Sequence, residues 1–77
     1  MIELITIKNE NDQYISEVDH NQYPIFTNNL MSIMSFESLE DAELFSSEYL
    51  DGIETFEIIN LKIKFELDET TLKTINF

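Results

Sequence analysis

The chain has 77 residues, with 16 acidic side chains, 4 lysines and no arginine, and its formal net charge is −12. This charge excludes direct binding to nucleic-acid phosphates, which needs lysine and arginine side chains, and it excludes attraction to anionic lipid surfaces. Because the chain has no cysteine, disulfides and thiolate metal sites are also excluded, and apolar packing has to stabilise the single domain predicted for residues 1–77.

The charges are distributed unevenly along the chain. Residues 9–61 contain no basic side chain, yet they hold 12 of the 16 acidic residues. The other four acidic residues are balanced by the four lysines. The whole net charge therefore lies in the middle of the sequence.

The first third of the chain predicts a β-hairpin. Apolar residues occupy both alternating faces of residues 1–8, which is typical of a strand covered on both sides or lying at a dimer edge. Residues 9–13 form a polar turn, and residues 13–18 form the second strand. Residues 19–24 are a loop in which Pro24 favours an extended Tyr23. Residues 30–33 predict a short helical turn that leads into an extended segment.

The strongest local signal predicts one amphipathic helix over about residues 38–51. Ser38 is a natural N-cap, and Asp41 three residues later completes a capping-box-like pattern. Gly52 is placed to end the helix in a left-handed conformation. At about 100° per residue, one arc of this helix is apolar and faces the core. That arc contains Leu39, Ala42, Phe45, Tyr49 and Leu50.

The segment after the helix predicts a long strand over residues 54–67. Ile59, Leu61 and Ile63 alternate with polar residues, whereas Phe56 and Ile58 follow the other phase. This change of phase predicts a β-bulge near Ile58 and Ile59, or two shorter strands. Residues 68–77 read as a turn and a short tail that packs down. The predicted fold is α+β: a small antiparallel sheet of three to four strands with one main helix packed on one face.

Few residues in the chain are suited to catalysis or metal binding. The single histidine, His20, lies in a polar loop, and the paired carboxylates of the helix lack a companion that would raise the pKa of one of them. The oxygen-rich residues 9–13 lack the ligand spacing, turn glycine and closing glutamate of a calcium loop. We therefore predict a protein that is not an enzyme, with no cofactor and no metal site.

The acidic arc of the helix is the candidate binding surface. Carboxylates on successive helical turns are about 5–6 Å apart, which approaches the spacing of phosphates along one nucleic-acid strand. The isoleucine- and asparagine-rich composition is typical of AT-rich coding, which normally yields many lysines, so their scarcity here indicates selection against positive charge. The candidate partner-binding residues are Glu37, Glu40, Asp41, Glu43, Leu44, Glu48, Asp51 and Glu54.

Several short motifs have a recognisable order along the chain. Tyr14-Ile15 and Phe26-Thr27 precede Phe36, and the helix opens with Ser38, Glu40 and Ala42; Gly52 and a strand from Ile53 follow. This pattern resembles short accessory proteins of bacteriophages that infect Gram-positive bacteria, which usually mix both charge signs in their middle region. The resemblance covers about two-thirds of the chain and implies structural roles only. By size and charge the chain is also similar to acidic, nucleic-acid-mimicking anti-CRISPR and anti-restriction inhibitors.

These likenesses, together with the acidic helix, predict a phage-encoded inhibitor. It would act as a DNA or RNA mimic on the basic nucleic-acid-binding surface of a host defence protein, such as a CRISPR effector nuclease or a restriction enzyme, with Leu44 and Tyr23 adding apolar contact. Glu3 in the alternating start argues against a signal peptide, and no apolar run is long enough for a membrane helix, so we expect a cytoplasmic protein in the bacterial host.

The sequence is also compatible with two other classes of function. The acidity could serve solubility alone in an accessory interaction module, an antitoxin-like partner of a basic protein, or a homodimer formed through strand one or the final strand. A small hydrolase with paired carboxylates is the third class, although the sequence indicates no substrate pocket for it.

Overall fold

The computed structural model describes residues 2–52, 55–64 and 66–76. Within these ranges, five strands form one antiparallel sheet in the order β3-β2-β1-β4-β5. The elements are β1 (Ile2–Asn9), β2 (Tyr14–Val18), β3 (Pro24–Thr27), a 3-10 turn (Leu30–Ser32), α1 (Leu39–Tyr49), β4 (Thr55–Ile63) and β5 (Leu67–Asn76). The α+β prediction is confirmed, but the predicted count of three to four strands is wrong.

The additional strands come from two segments that were assigned differently from sequence. Pro24–Thr27, which begins at the last residue of the predicted loop, forms β3 at one edge of the sheet. Residues 68–77 were predicted as a turn and tail, but Leu67–Asn76 pairs along the whole length of β4 as the other edge strand. Every residue of β5 except Ile75 is exposed, so β5 lacks the alternating burial that marks a strand in sequence.

The strands β1 and β4 lie at the centre of the sheet and are apolar on both sides. On the face covered by α1, here called the helix face, Ile7, Phe56 and Ile58 belong to the main core. On the opposite face, here called the far face, Ile59 and Leu61 are fully buried in a second cluster with Tyr14. The change of apolar phase in β4 therefore reflects a central strand covered on both faces.

A β-bulge does occur at the predicted position, but the extra residue belongs to β5. Ile58 lies opposite Lys73 and Ile59 lies opposite Thr71, so Leu72 has no partner on β4. Residues four apart share a face in a regular strand. The bulge instead places Glu69 on the far face and Lys73 on the helix face, where each side chain forms an ion pair.

The segment between the 3-10 turn and α1 is extended, as predicted. It lies where β1 and β2 diverge: the backbone N–H of Met34 donates to the carbonyl of Ile15, and that of Phe36 donates to the carbonyl of Ile5, both at 2.9 Å. The buried Thr6 hydroxyl donates to the carbonyl of Met34 at 2.7 Å. These bonds satisfy backbone groups that the divergence would leave unpaired.

The helix begins at its predicted N-cap and ends at Tyr49, two residues before the predicted end. The backbone N–H of Asp41 donates to the Ser38 hydroxyl at 3.1 Å, and Gly52 has a φ of 97°. Ala42 and Leu50 are fully buried. Ser46 is buried as well, which the apolar pattern did not predict, and its hydroxyl donates to the Ala42 carbonyl at 2.8 Å.

The cap can be tested by substitution. Ser38→Ala should lower the free energy of unfolding by about 1 kcal/mol, because it leaves an N–H of the first helical turn without its acceptor. In a domain of this size such a loss lowers the melting temperature by roughly 4–8 °C in thermal denaturation. Ser47→Ala is the matched control, since Ser47 is exposed in the last turn of the helix and alanine favours the helix. Equal melting temperatures for the two variants would contradict the capping role.

Candidate functional site

The solvent-facing side of α1 carries acidic residues around one leucine. Glu40, Asp41 and Glu48 are exposed, and Leu44 between them is 63 % exposed. At 3.6 residues per turn these four residues fall within an arc of about 100°. Exposed Asp51 follows the C-cap Leu50 in the turn after the helix. We call Glu40, Asp41, Leu44, Glu48 and Asp51 the acidic helix face.

The acidic helix face is carried by a helix of about three turns. The 11 residues of α1 span about 16 Å, on the order of five base steps of about 3.4 Å each. The helix is anchored on the sheet through contacts with β1 and β4, and its buried side packs on the main core. The carboxylates are therefore carried by a rigid element rather than by a loop.

Three predicted site residues are not included in the acidic helix face: Glu37, Glu43 and Glu54. Glu37 is exposed and lies just before the N-cap of the helix. Glu43 points to the flank of the helix, where the Lys73 Nζ lies 2.8 Å from its Oε2. Glu43 thus joins α1 to β5 and is already neutralised within the molecule. Glu54 lies outside the described residues.

The lysines are placed away from the acidic helix face. Lys8 and Lys73 form ion pairs with carboxylates of the same molecule. Lys62 is near the end of β4 and Lys64 follows it in the turn to β5. Among the described residues, no lysine comes within 4 Å of a carboxylate of this face, so its charges are uncompensated by ion pairs there.

A second polar group lies on the far face and links three strands. The Lys8 Nζ on β1 is 2.7 Å from Glu69 Oε2 on β5, and the Tyr14 hydroxyl on β2 donates to the other oxygen of Glu69. Asp12 and Glu57 lie 3.6 and 3.9 Å from the same ammonium group. We call Lys8, Tyr14 and Glu69 the far-face triad.

The protonation of the far-face triad is shifted by these contacts. The hydrogen bond to Glu69 raises the pKa of Lys8, with partial burial acting against it. Burial raises the pKa of Tyr14, and the hydrogen bond to Glu69 raises it further. Burial alone would raise the pKa of Glu69, but the hydrogen bonds from Lys8 and Tyr14 outweigh it and the net pKa is lowered. The triad is therefore most stable with Glu69 ionised and its two partners protonated.

Exposed apolar side chains are also found away from α1. Tyr23, which was predicted to add apolar contact, is 68 % exposed next to β3 at the sheet edge, and Met31 in the 3-10 turn is 93 % exposed. Leu44 is the exposed apolar residue that lies among the acids of α1.

The residues weighed for chemistry are dispersed. His20 is exposed in the turn between β2 and β3. In the part of the chain that the structure describes, no group of three or more histidine, cysteine, aspartate or glutamate side chains is arranged to hold a metal ion. No helix within residues 2–52, 55–64 and 66–76 has the length and apolar content needed to cross a membrane.

Comparison with protein-family models, with characterised proteins and with solved structures gives no match to this chain. The function therefore has to be argued from the surface of the molecule itself.

Proposed function

We propose that this protein is a phage-encoded, non-catalytic inhibitor whose acidic helix face occupies the nucleic-acid-binding surface of a bacterial defence nuclease. A CRISPR effector nuclease or a restriction enzyme is the intended target class. The observation that carries the proposal is the row of exposed, unpaired carboxylates surrounding Leu44 on a rigid helix. In this mechanism the carboxylates take the positions of phosphates, and inhibition is steric and electrostatic competition.

Electrostatics favours a groove lined with lysine and arginine as the binding partner. The chain carries a net charge of −12, and its lysines are paired internally or lie away from α1, so the field of the acidic helix face is attractive to cations over several ångströms. Such complementarity raises the association rate and makes the complex sensitive to salt.

Leu44 gives the acidic helix face an apolar contact, which a phosphate backbone does not offer. Charge alone would attract any basic protein, whereas an exposed leucine in the middle of the charged row needs an apolar depression at the matching place in the partner. Residues near the centre of an interface, where surrounding contacts exclude water, carry most of the binding energy. Leu44 therefore provides selectivity among cationic surfaces.

The proposal is tested by displacement of DNA from purified nucleases. A guide-loaded CRISPR effector and a restriction endonuclease are each mixed with fluorescently labelled target DNA, and the anisotropy is followed as this protein is added. We expect stoichiometric displacement from at least one of them near 0.1 M salt, and loss of displacement near 1 M salt, where the screening length falls to about 3 Å. If the nucleases keep their DNA at every protein concentration, the mimic mechanism is wrong for this target class.

A further inference from the structure

The two edges of the sheet differ in their capacity to accept another strand. β3 has four residues and begins with Pro24, which lacks a backbone N–H. β5 has ten residues, contains no proline and is exposed along nearly its whole length. A long edge strand with free backbone groups is a template for pairing with a further strand.

Charge also distinguishes the β5 edge from the rest of the molecule. Residues 61–77 contain three lysines and three acidic residues and are neutral overall, so the net charge of −12 resides in residues 1–60. The β3 edge, by contrast, is flanked by Glu17 and Asp19 in a segment without any basic residue. Two copies that meet at β5 therefore avoid the repulsion that contact elsewhere would produce.

We propose that β5 is a self-association surface, through which a second copy of this chain adds its own β5 in antiparallel orientation across a two-fold axis. The two sheets then form one continuous sheet, and the interface is isologous. This inference goes beyond the proposed function and does not depend on it.

The bulge in β5 determines the register of this pairing. Because the bulge exchanges the faces of the strand, residues before Leu72 share a face with residues after it when the two sets pair, and we place the axis between Thr71 and Leu72, where they do so. Thr70 then lies opposite the second copy's Lys73, both on the helix face, and Asp68 lies diagonal to the same lysine. Diagonal neighbours about 7–8 Å apart are within reach of long side chains, so the pairing brings two reciprocal Asp68–Lys73 contacts.

The strand is also held in place before a second copy arrives. Glu69 binds Lys8 and Tyr14 on the far face, and Lys73 pairs with Glu43 of α1 on the helix face. These contacts fix β5 on both sides of the sheet. A preformed edge loses less conformational entropy on association than a mobile one.

The test is the molar mass of the purified chain in solution, measured by sedimentation equilibrium without any other protein present. We expect a concentration-dependent mass of twice 9.1 kDa. Leu72→Lys places two ammonium groups beside the two-fold axis and should shift the mass to that of the monomer. Leu44→Lys is the matched control, because Leu44 is also exposed but lies on α1, and it should leave the dimer intact.

Circular dichroism of both variants checks that the fold is retained, as expected for residues that are 39 % and 63 % exposed. Single-cysteine variants give an independent readout because the chain has no cysteine. Leu72→Cys should form a disulfide-linked dimer under mild oxidation much faster than Leu44→Cys. A monomeric natural chain, or equal cross-linking of the two cysteine variants, overturns this proposal and leaves the inhibitor proposal untouched.

Discussion

Replacing Glu40, Asp41 and Glu48 together by glutamine, asparagine and glutamine is expected to weaken binding to the target nuclease by roughly 10- to 100-fold. Exposed charge pairs contribute up to about 1 kcal/mol each, and about 1.4 kcal/mol corresponds to a factor of ten in affinity. The removal of three such charge pairs from one face therefore accounts for this range. The amides keep the shape of the side chains, so the change tests charge rather than packing. The dissociation constant is measured in the DNA-displacement assay near 0.1 M salt.

A second triple variant separates the local surface from the total charge. Glu3, Glu10 and Glu17 are exposed on β1, on the turn after it and on β2, and their replacement by glutamine removes the same three charges. We expect this variant to lose less than about threefold in affinity, because at this ionic strength charges beyond about 10 Å are largely screened. Equal losses in both variants would show that net charge alone drives binding. Undiminished binding by the helix variant would show that the acidic helix face is not the contact surface.

The parts of the fold that sequence predicts well are those fixed by neighbouring residues. Ser38 fixes the start of α1 because a hydroxyl acceptor acts within one helical turn, and Gly52 adopts its left-handed conformation just after the C-cap Leu50. The first hairpin follows from alternation in residues 1–8. The same reasoning fails for β5, because its pairing with β4 depends on residues that are distant in sequence and its own side chains are almost all exposed.

The observed strand order removes strand one as a candidate dimer edge. Strand one was considered as a dimer edge because it is apolar on both sides, but β1 lies at the centre of the sheet between β2 and β4. Its two apolar faces are explained by the core under α1 and the cluster on the far face. Of the two strands considered for a dimer, the final strand, β5, lies at an edge of the sheet.

The candidate site was predictable in outline and not in detail. Helical periodicity places Glu40, Leu44 and Glu48 on one face, which the structure shows as exposed. It could not indicate that Glu43 binds Lys73, because that ion pair joins residues 30 positions apart across separate elements. The far-face triad has no local sequence signal either, since Lys8 and Glu69 are 61 positions apart.

The ion pairs give the few lysines of this chain a structural explanation. Lys8 and Lys73 both hold β5, one on each face of the sheet. A strand with so little buried apolar surface needs such contacts in addition to its backbone pairing with β4. Two of the four lysines are thus used to attach the edge strand.

Replacing Glu69 by glutamine is expected to give the largest loss of stability among the surface substitutions, roughly 1–3 kcal/mol. Hydrogen bonds to charged groups contribute about this amount, and the substitution removes the charge that both Lys8 and Tyr14 bind. The corresponding fall in melting temperature is roughly 4–8 °C for each kcal/mol in a domain of this size. Glu66→Gln is the matched control, since exposed Glu66 lies just before β5 and its replacement removes the same charge. Similar melting temperatures for the two variants would contradict a stabilising role for the far-face triad.

The pH dependence of stability supplies a second readout for the same contacts. The pKa of Glu69 is lowered in the folded protein. Its contribution to the free energy of unfolding is therefore present above the unfolded-state pKa of about 4.3, and it is lost as the pH falls through the folded-state pKa. The pKa values of Lys8 and Tyr14 are raised, so their contributions are present below their unfolded values of about 10 and are lost as the pH rises through the folded pKa values. Urea denaturation of the natural chain should therefore show falling stability below about pH 4 and above about pH 10.

The Glu69→Gln substitution should affect the loss of stability in acid differently from the loss of stability in alkali. Its acid decline should become shallower, because the proton that Glu69 takes up is no longer linked to unfolding. The alkaline decline should shrink without vanishing, because burial of Tyr14 raises its pKa independently of Glu69. An unchanged acid slope in this variant would show that other carboxylates dominate the acid sensitivity of the fold.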